Sequence, residues 1–184
     1  MFFFYLVFCF LCASIPFGLI ICFLGYNIDI RELGSKNIGM TNVYRNVGLW
    51  PALLTLFCDA GKTFLVLEYS PYSTPSEIFW IGLVAVLGHC YSVFLQGNGG
   101  KGVASAFGVC IALSCSLAIS ILGVWLIFLQ TTKKSSASSL ITLATLLPLN
   151  WYFAVGQGYL FLVLIILIVL QHKDNVQRLK AGGA

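Results

Sequence analysis

Residues 97–102 read Gly-Asn-Gly-Gly-Lys-Gly, between two long apolar runs. Glycines let backbone amides turn toward an anion with no Cβ in the way. A helix expected to start near Gly102 brings the partial positive charge of its N-terminus. Lys101 adds a full charge, so the stretch holds the elements of a phosphate cradle. It is not a Walker A loop: Leu95 stands where the first glycine is required, and Gly102 where Ser or Thr would follow the lysine. The tripeptide Gly61-Lys62-Thr63 fails too, with Leu56 at the upstream position and an apolar run around it. The competing reading is a flexible hairpin with one snorkelling lysine.

Two more polar stretches carry chemistry. Residues 34–46, GSKNIGMTNVYRN, gather Ser35, Asn37, Thr41, Asn42, Arg45 and Asn46. Arginine offers a planar fork for phosphate or carboxylate, and hydroxyls and amides suit neutral oxygens. A solvated loop is the alternative. His172, Asn175 and Arg178 follow the last apolar run at i, i+3 and i+6, so the first two share a helical face. His89 ends an earlier run; either histidine is also read as an interfacial residue satisfied by a carbonyl. Asp59 and Lys62 sit three apart inside an apolar run, as a structural or a substrate-facing ion pair. No HxxxxD is present, because Phe94 and Gln177 occupy the fifth positions after His89 and His172. No clustered His/Cys metal set and no spaced aspartates appear, so metal and other cofactors are not expected.

The elements that must position these residues are apolar. Of 184 residues 59% are hydrophobic and 9% charged, with mean hydropathy +0.95. Soluble domains carry roughly 25% charged residues, so an all-α integral membrane protein is expected, with the bilayer as partner. Nucleic acid is not an expected partner, and oligomeric state is not readable. The predicted spans are 1–24, 48–67, 78–96, 102–115, 117–131, 136–153 and 157–172, with a tight turn near Ser114–Ser116 and a kink at Pro16. They form one domain over 1–184, and the first is expected to be a retained helix. The seven cysteines, all in or beside apolar runs, read as small apolar helix residues. Lys and Arg cluster in 25–47, at Lys101, at Lys133 and Lys134, and in the tail at Lys173, Arg178 and Lys180. The alternate connections lack them. The positive-inside rule then predicts a seven-helix bundle, N-terminus outside and C-terminus cytoplasmic, with all three polar stretches on the cytoplasmic face.

The order SxNxGxxNxxR, GHxxxxFxxxxGGKGVA and HxxNxxRLxxG resembles the bacterial acyl-phosphate-dependent glycerol-3-phosphate acyltransferases, the PlsY family. Here the stretches read GSKNIGMTNVYR, GHCYSVFLQGNGGKGVAS and QHKDNVQRLKAGGA. The resemblance implies an inner-membrane acyltransferase that moves a fatty acyl group from acyl phosphate to the 1-hydroxyl of glycerol 3-phosphate. Lysophosphatidic acid, a phospholipid precursor, and phosphate would be the products. It implies catalytic roles for Ser35, Arg45, His172 and Asn175, and substrate-binding roles for Asn37, Asn42, Gly99, Gly100 and Lys101. In that assignment Gly99 and Gly100 offer amides to the substrate phosphate and Lys101 is its counter-charge. Three positions depart from the pattern: Lys36 replaces a glycine, Asn98 replaces a lysine, and the chain ends Gly182-Gly183-Ala184 without the usual glutamate. A membrane transporter for a phosphorylated metabolite is the alternative.

Overall fold

The computed structural model describes residues 1–175; Arg178, Lys180 and the end of the third motif lie outside them. The described residues form nine α-helices and two 3-10 turns and no strand. The α-helices are α1 Phe2–Ser14, α2 Phe17–Tyr26, α3 Met40–Asn46, α4 Leu49–Glu68, α5 Pro75–Cys90, α6 Val103–Leu113, α7 Cys115–Thr132, α8 Ser135–Tyr152 and α9 Gly158–Gln171. The 3-10 turns are Ile30–Glu32 and Val93–Leu95.

The first apolar stretch is two helices rather than one kinked helix. Pro16 has no N–H to donate and pushes the residue before it out of the helical region. Ile15 accordingly adopts φ −56° and ψ 119°. Taken across this break, Phe2–Tyr26 is long and apolar enough to cross a membrane, as are Leu49–Glu68, Pro75–Leu95 and Cys115–Thr132. The other three expected spans fall short of that measure for physical reasons. Helices α6 and α9, of 11 and 14 residues, are about 16 and 21 Å long at 1.5 Å per residue, against a hydrocarbon core of roughly 30 Å. Helix α8 is diluted by Ser135, Ser136, Ser138, Ser139, Thr142 and Thr145. The expected turn at 114–116 is a break at Ser114, whose side chain accepts the Leu117 amide at 3.3 Å.

The chain divides into two compact units, Met1–Val109 and Cys110 onward. In the first, short connections make α4 and α5 antiparallel neighbours. The α2–α4 and α5–α6 connections, which hold the first two polar stretches, therefore emerge at one end. Both are seated on one apolar cluster of Cys22, Ile30, Ile38, Val43, Ala52 and Leu95. A second cluster joins α1, α4 and α5 through Cys9, Ala13, Val66, Ile81 and Ala85. Helices α1 and α5 approach closely at Gly88, where a Cβ would strike the Phe10 carbonyl; small residues at such crossings are the usual solution between apolar helices. All seven cysteines are free.

Polar groups inside this unit converge on the break. Ending a helix leaves its last carbonyls without partners. The Ser92 hydroxyl donates to Ser14 O at 2.5 Å, and the Ser14 hydroxyl donates to Gly88 O at 3.1 Å. The Lys62 ammonium donates to Ile15 O at 2.7 Å. Lys62 also lies 2.9 Å from Asp59 Oδ1, so this pair is structural and buried.

In the second unit α7 and α8 form a hairpin, turned at Lys133 with φ +56°. Trp125 Nε1 donates to Ser139 Oγ at 3.1 Å, and the Thr132 and Ser138 hydroxyls meet at 3.0 Å. Asn150 Oδ1 accepts the Gln157 amide and so ties α8 to the start of α9.

Replacing Lys62 with Met takes the buried Asp59 carboxylate's cation away and leaves the Ile15 carbonyl with the Phe17 amide alone. The expected cost is roughly 3 kcal/mol or more, read as a lowered thermal midpoint in detergent. Adding Asp59→Leu should recover part of the loss; a double variant no more stable than Lys62→Met contradicts the pairing.

Candidate active site

Asn42 organises the first polar stretch. It is 3% exposed. Its amide nitrogen faces the carbonyls of Ile30, Leu33 and Asn37 at 3.1, 3.0 and 2.9 Å. Its carbonyl oxygen accepts the Ser35 backbone amide at 2.9 Å and the Asn46 side chain at 3.0 Å. Both polar atoms of Asn42 are thus engaged with the loop itself, and the side chain acts as a clamp. Asn37 Oδ1 accepts the Gly39 amide at 2.9 Å, closing the turn that leads into α3. Ser35 and Asn37 are half-buried, while Arg45 stands exposed on the last turn of α3. At the start of the loop the Arg31 guanidinium pairs with Asp29, 2.6 Å at the closest approach, and holds that carboxyl below its ordinary range.

Lys36 has φ +60°. A side chain there crowds its own carbonyl, which explains a glycine at this place in the motif it departs from.

The second stretch corrects one expectation. The amides of Gly99 and Gly100 donate to Cys90 O and His89 O, both at 3.0 Å. They are closed onto the end of α5 and form no amide cradle for an anion. What the two glycines supply is room. A Cβ on Gly99 would meet the His89 and Cys90 carbonyls, and one on Gly100 would meet the His89 imidazole, Nε2 first. The loop therefore lies flat on α5 and carries half-buried Lys101 to the first turn of α6. The amides of that turn have no acceptor within the helix.

His89 itself is 3% exposed, with Nδ1 3.6 Å from Asp59 Oδ1. A carboxylate, and not the carbonyl of the alternative reading, faces this nitrogen, beyond hydrogen-bond distance. Sequence spacing does not reveal the contact, since His89 and Asp59 are thirty positions apart on different helices. The available signal was that both are ionisable groups inside apolar runs, which tend to face one another.

The second unit carries His172 and Asn175. His172 caps α9 and is 2% exposed. Its Nδ1 lies 2.8 Å from Ile168 O. A carbonyl only accepts, so Nδ1 carries the proton at this contact. Asn175 is half-buried one helical turn further on. Among the described residues no group of three His, Cys, Asp or Glu is placed to hold a metal.

These features define a class: a polytopic helical membrane protein whose polar loops, rich in hydroxyl, amide, arginine and lysine groups, suit an anionic substrate. Comparison with known proteins narrows it. Residues 3–182 match the model of the glycerol-3-phosphate acyltransferases, and the chain belongs to that family. A glycerol-3-phosphate acyltransferase of Prochlorococcus marinus (strain MIT 9215) is 40% identical over 94% of this chain and 91% of its own. One from Thermosipho melanesiensis is also 40% identical, over 93% of this chain and 85% of its own. The crystal structure of PlsY (YgiH), an integral membrane glycerol 3-phosphate acyltransferase, in its glycerol 3-phosphate form superposes with TM-score 0.90 and 33% identity. It covers 98% of this chain and 92% of that one. These relatives are acyltransferases, and the transporter alternative finds no support among them.

Two substitutions test the loop geometry. Asn42→Ala leaves the Ser35 amide and the facing carbonyls without their partner. The expected loss is about 2 kcal/mol, seen as a lower thermal midpoint. Lys36→Gly removes the left-handed strain and should raise stability by about 1 kcal/mol; a lower midpoint would count against the strained backbone.

Proposed function

We propose that this chain transfers a fatty acyl group from acyl phosphate to the 1-hydroxyl of glycerol 3-phosphate, yielding lysophosphatidic acid and inorganic phosphate for phospholipid biosynthesis. The supporting observation is the likeness, along nearly the whole chain, to a solved glycerol 3-phosphate acyltransferase in its glycerol 3-phosphate form. In this reaction the hydroxyl oxygen attacks the acyl carbon and an ester C–O bond forms. The bond from that carbon to the phosphate oxygen breaks, and the departing phosphate takes the hydroxyl proton. The donor is an activated anhydride with a good leaving group. Positioning and charge stabilisation can therefore carry the catalysis.

The roles follow from the chemistry of each group. Lys101 is the counter-charge for the phosphate of glycerol 3-phosphate, on a loop that Gly99 and Gly100 hold against α5. Arg45 supplies a two-pronged fork for phosphate or the developing oxyanion, with Ser35 as hydroxyl donor and Asn37 beside it. Asn42 serves binding indirectly, by clamping the loop that bears Ser35. His172 and Asn175 orient the attacking hydroxyl, with Nε2 the imidazole atom suited to accept from it.

The chain acts as one catalytic domain crossing the bacterial inner membrane seven times, N-terminus outside, with its site on the cytoplasmic face. The alternation of basic and non-basic connections supports this orientation. The bilayer supplies the medium for the acyl tail.

Purified protein given acyl phosphate and glycerol 3-phosphate should release lysophosphatidic acid and phosphate; neither product would sink the reading. Lys101→Ala should raise KM for glycerol 3-phosphate tenfold or more, by removing roughly 1.4 kcal/mol or more of phosphate binding, with little change in KM for acyl phosphate. His172→Ala should instead lower kcat by about 10²-fold. An unaltered kcat would take His172 out of the chemistry.

A further inference from the structure

We propose that His89 and Asp59 are positioning residues of the acyl transfer, acting from beneath the glycine–lysine loop to set where Lys101 stands. The proposal rests on the reading that this loop meets the phosphate of glycerol 3-phosphate. His89 holds Gly100 in two ways. Its carbonyl accepts the Gly100 amide at 3.0 Å, and the Nε2 edge of its ring fills the space that a Gly100 side chain would need. The opposite edge of the ring, Nδ1, faces Asp59 Oδ1 at 3.6 Å. Asp59 is 1% exposed and is held in turn by Lys62 at 2.9 Å.

The imidazole is therefore clamped between a carboxylate on one helix and the loop on the other side. Neither Asp59 oxygen nor His89 Nδ1 makes a well-aligned hydrogen bond. A buried carboxylate and imidazole paired this loosely are expensive, and an apolar ring would fill the same space at lower cost. Such costs concentrate where a site needs a defined geometry. What the arrangement defines here is the floor under Gly100, one residue from Lys101. A displacement of about 1 Å at a positioning element can cost 10²-fold.

A double-mutant cycle on His89 and Gly100 tests this, read as separate KM values for the two substrates. Gly100→Ala alone should collide with the ring and raise KM for glycerol 3-phosphate roughly tenfold or more, leaving KM for acyl phosphate nearly unchanged. In a His89→Ala background the space is open, and Gly100→Ala should add less than about twofold. Should His89→Ala not be recovered folded, His89→Asn also clears the space and takes its place. Equal losses in both backgrounds overturn the proposal. Asp59→Asn keeps the shape and removes the charge; it should raise KM for glycerol 3-phosphate selectively. An equal rise in both KM values, as a general loosening of the fold would produce, overturns the part given to Asp59. If Asp59→Asn does not fold, the cycle decides alone. An inactive wild type overturns the function and this inference with it, whereas an active wild type with additive losses overturns only the inference.

Discussion

A helix interrupted inside an apolar medium creates a debt of hydrogen bonds that only other side chains can meet. Pro16 imposes that interruption in the first apolar stretch, leaving the Ser14 carbonyl at the end of the helical ladder and the Ile15 carbonyl with the Phe17 amide at 3.1 Å. Ser92 answers the first, and Lys62 gives the other a second donor. Each answer has a consequence. Ser92 pins the start of the glycine-bearing connection to the break. Lys62 brings a charge into the interior, which requires Asp59, and Asp59 meets His89. From one proline, a line of polar contacts runs across α1, α4 and α5 and ends under Gly100. The loop and the break are parts of one polar structure inside an apolar bundle.

The first polar connection is organised differently. It does not borrow its order from the interior line. A single amide side chain, Asn42, substitutes for the regular backbone pairing that a loop of this length lacks. Asparagine is suited to this because one group both donates and accepts. The two connections then share the apolar seat formed by Ile30, Ile38, Val43 and Leu95. Hydrogen bonding thus shapes each loop, and apolar burial holds the two loops beside one another.

Much of this was legible in the residues. Apolar runs gave the helix positions within a few residues, and the break at Ser114 fell where the turn was expected. The three polar stretches carried the family likeness in order. Three things were hidden, each for a physical reason. The span count rests on length and hydropathy, and the hydroxyls of α8 and the brevity of α6 and α9 blur both. The fate of the Gly99 and Gly100 amides depends on where the loop folds back, and a glycine-rich stretch reads the same whether its amides face outward or close onto a neighbouring helix. The approach of His89 to Asp59 is a tertiary contact between two helices, invisible to periodicity along either one. Lys36 shows the reverse: its departure from the motif was plain, and its meaning emerged only with a positive φ at that residue.

The closed amides of the glycine loop also bear on what binding there would involve. A loop that completes its own hydrogen bonds against α5 is ordered before any ligand arrives. An anion meeting it need not supply the free energy of ordering a mobile segment, so more of the contact energy is left for affinity. The same self-sufficiency makes the loop a poor switch, since a ligand that finds one conformation already occupied has little population to shift. For a ligand taken up as proposed, discrimination at this place would then rest on fit and charge at a standing surface, and not on a loop closing around its guest.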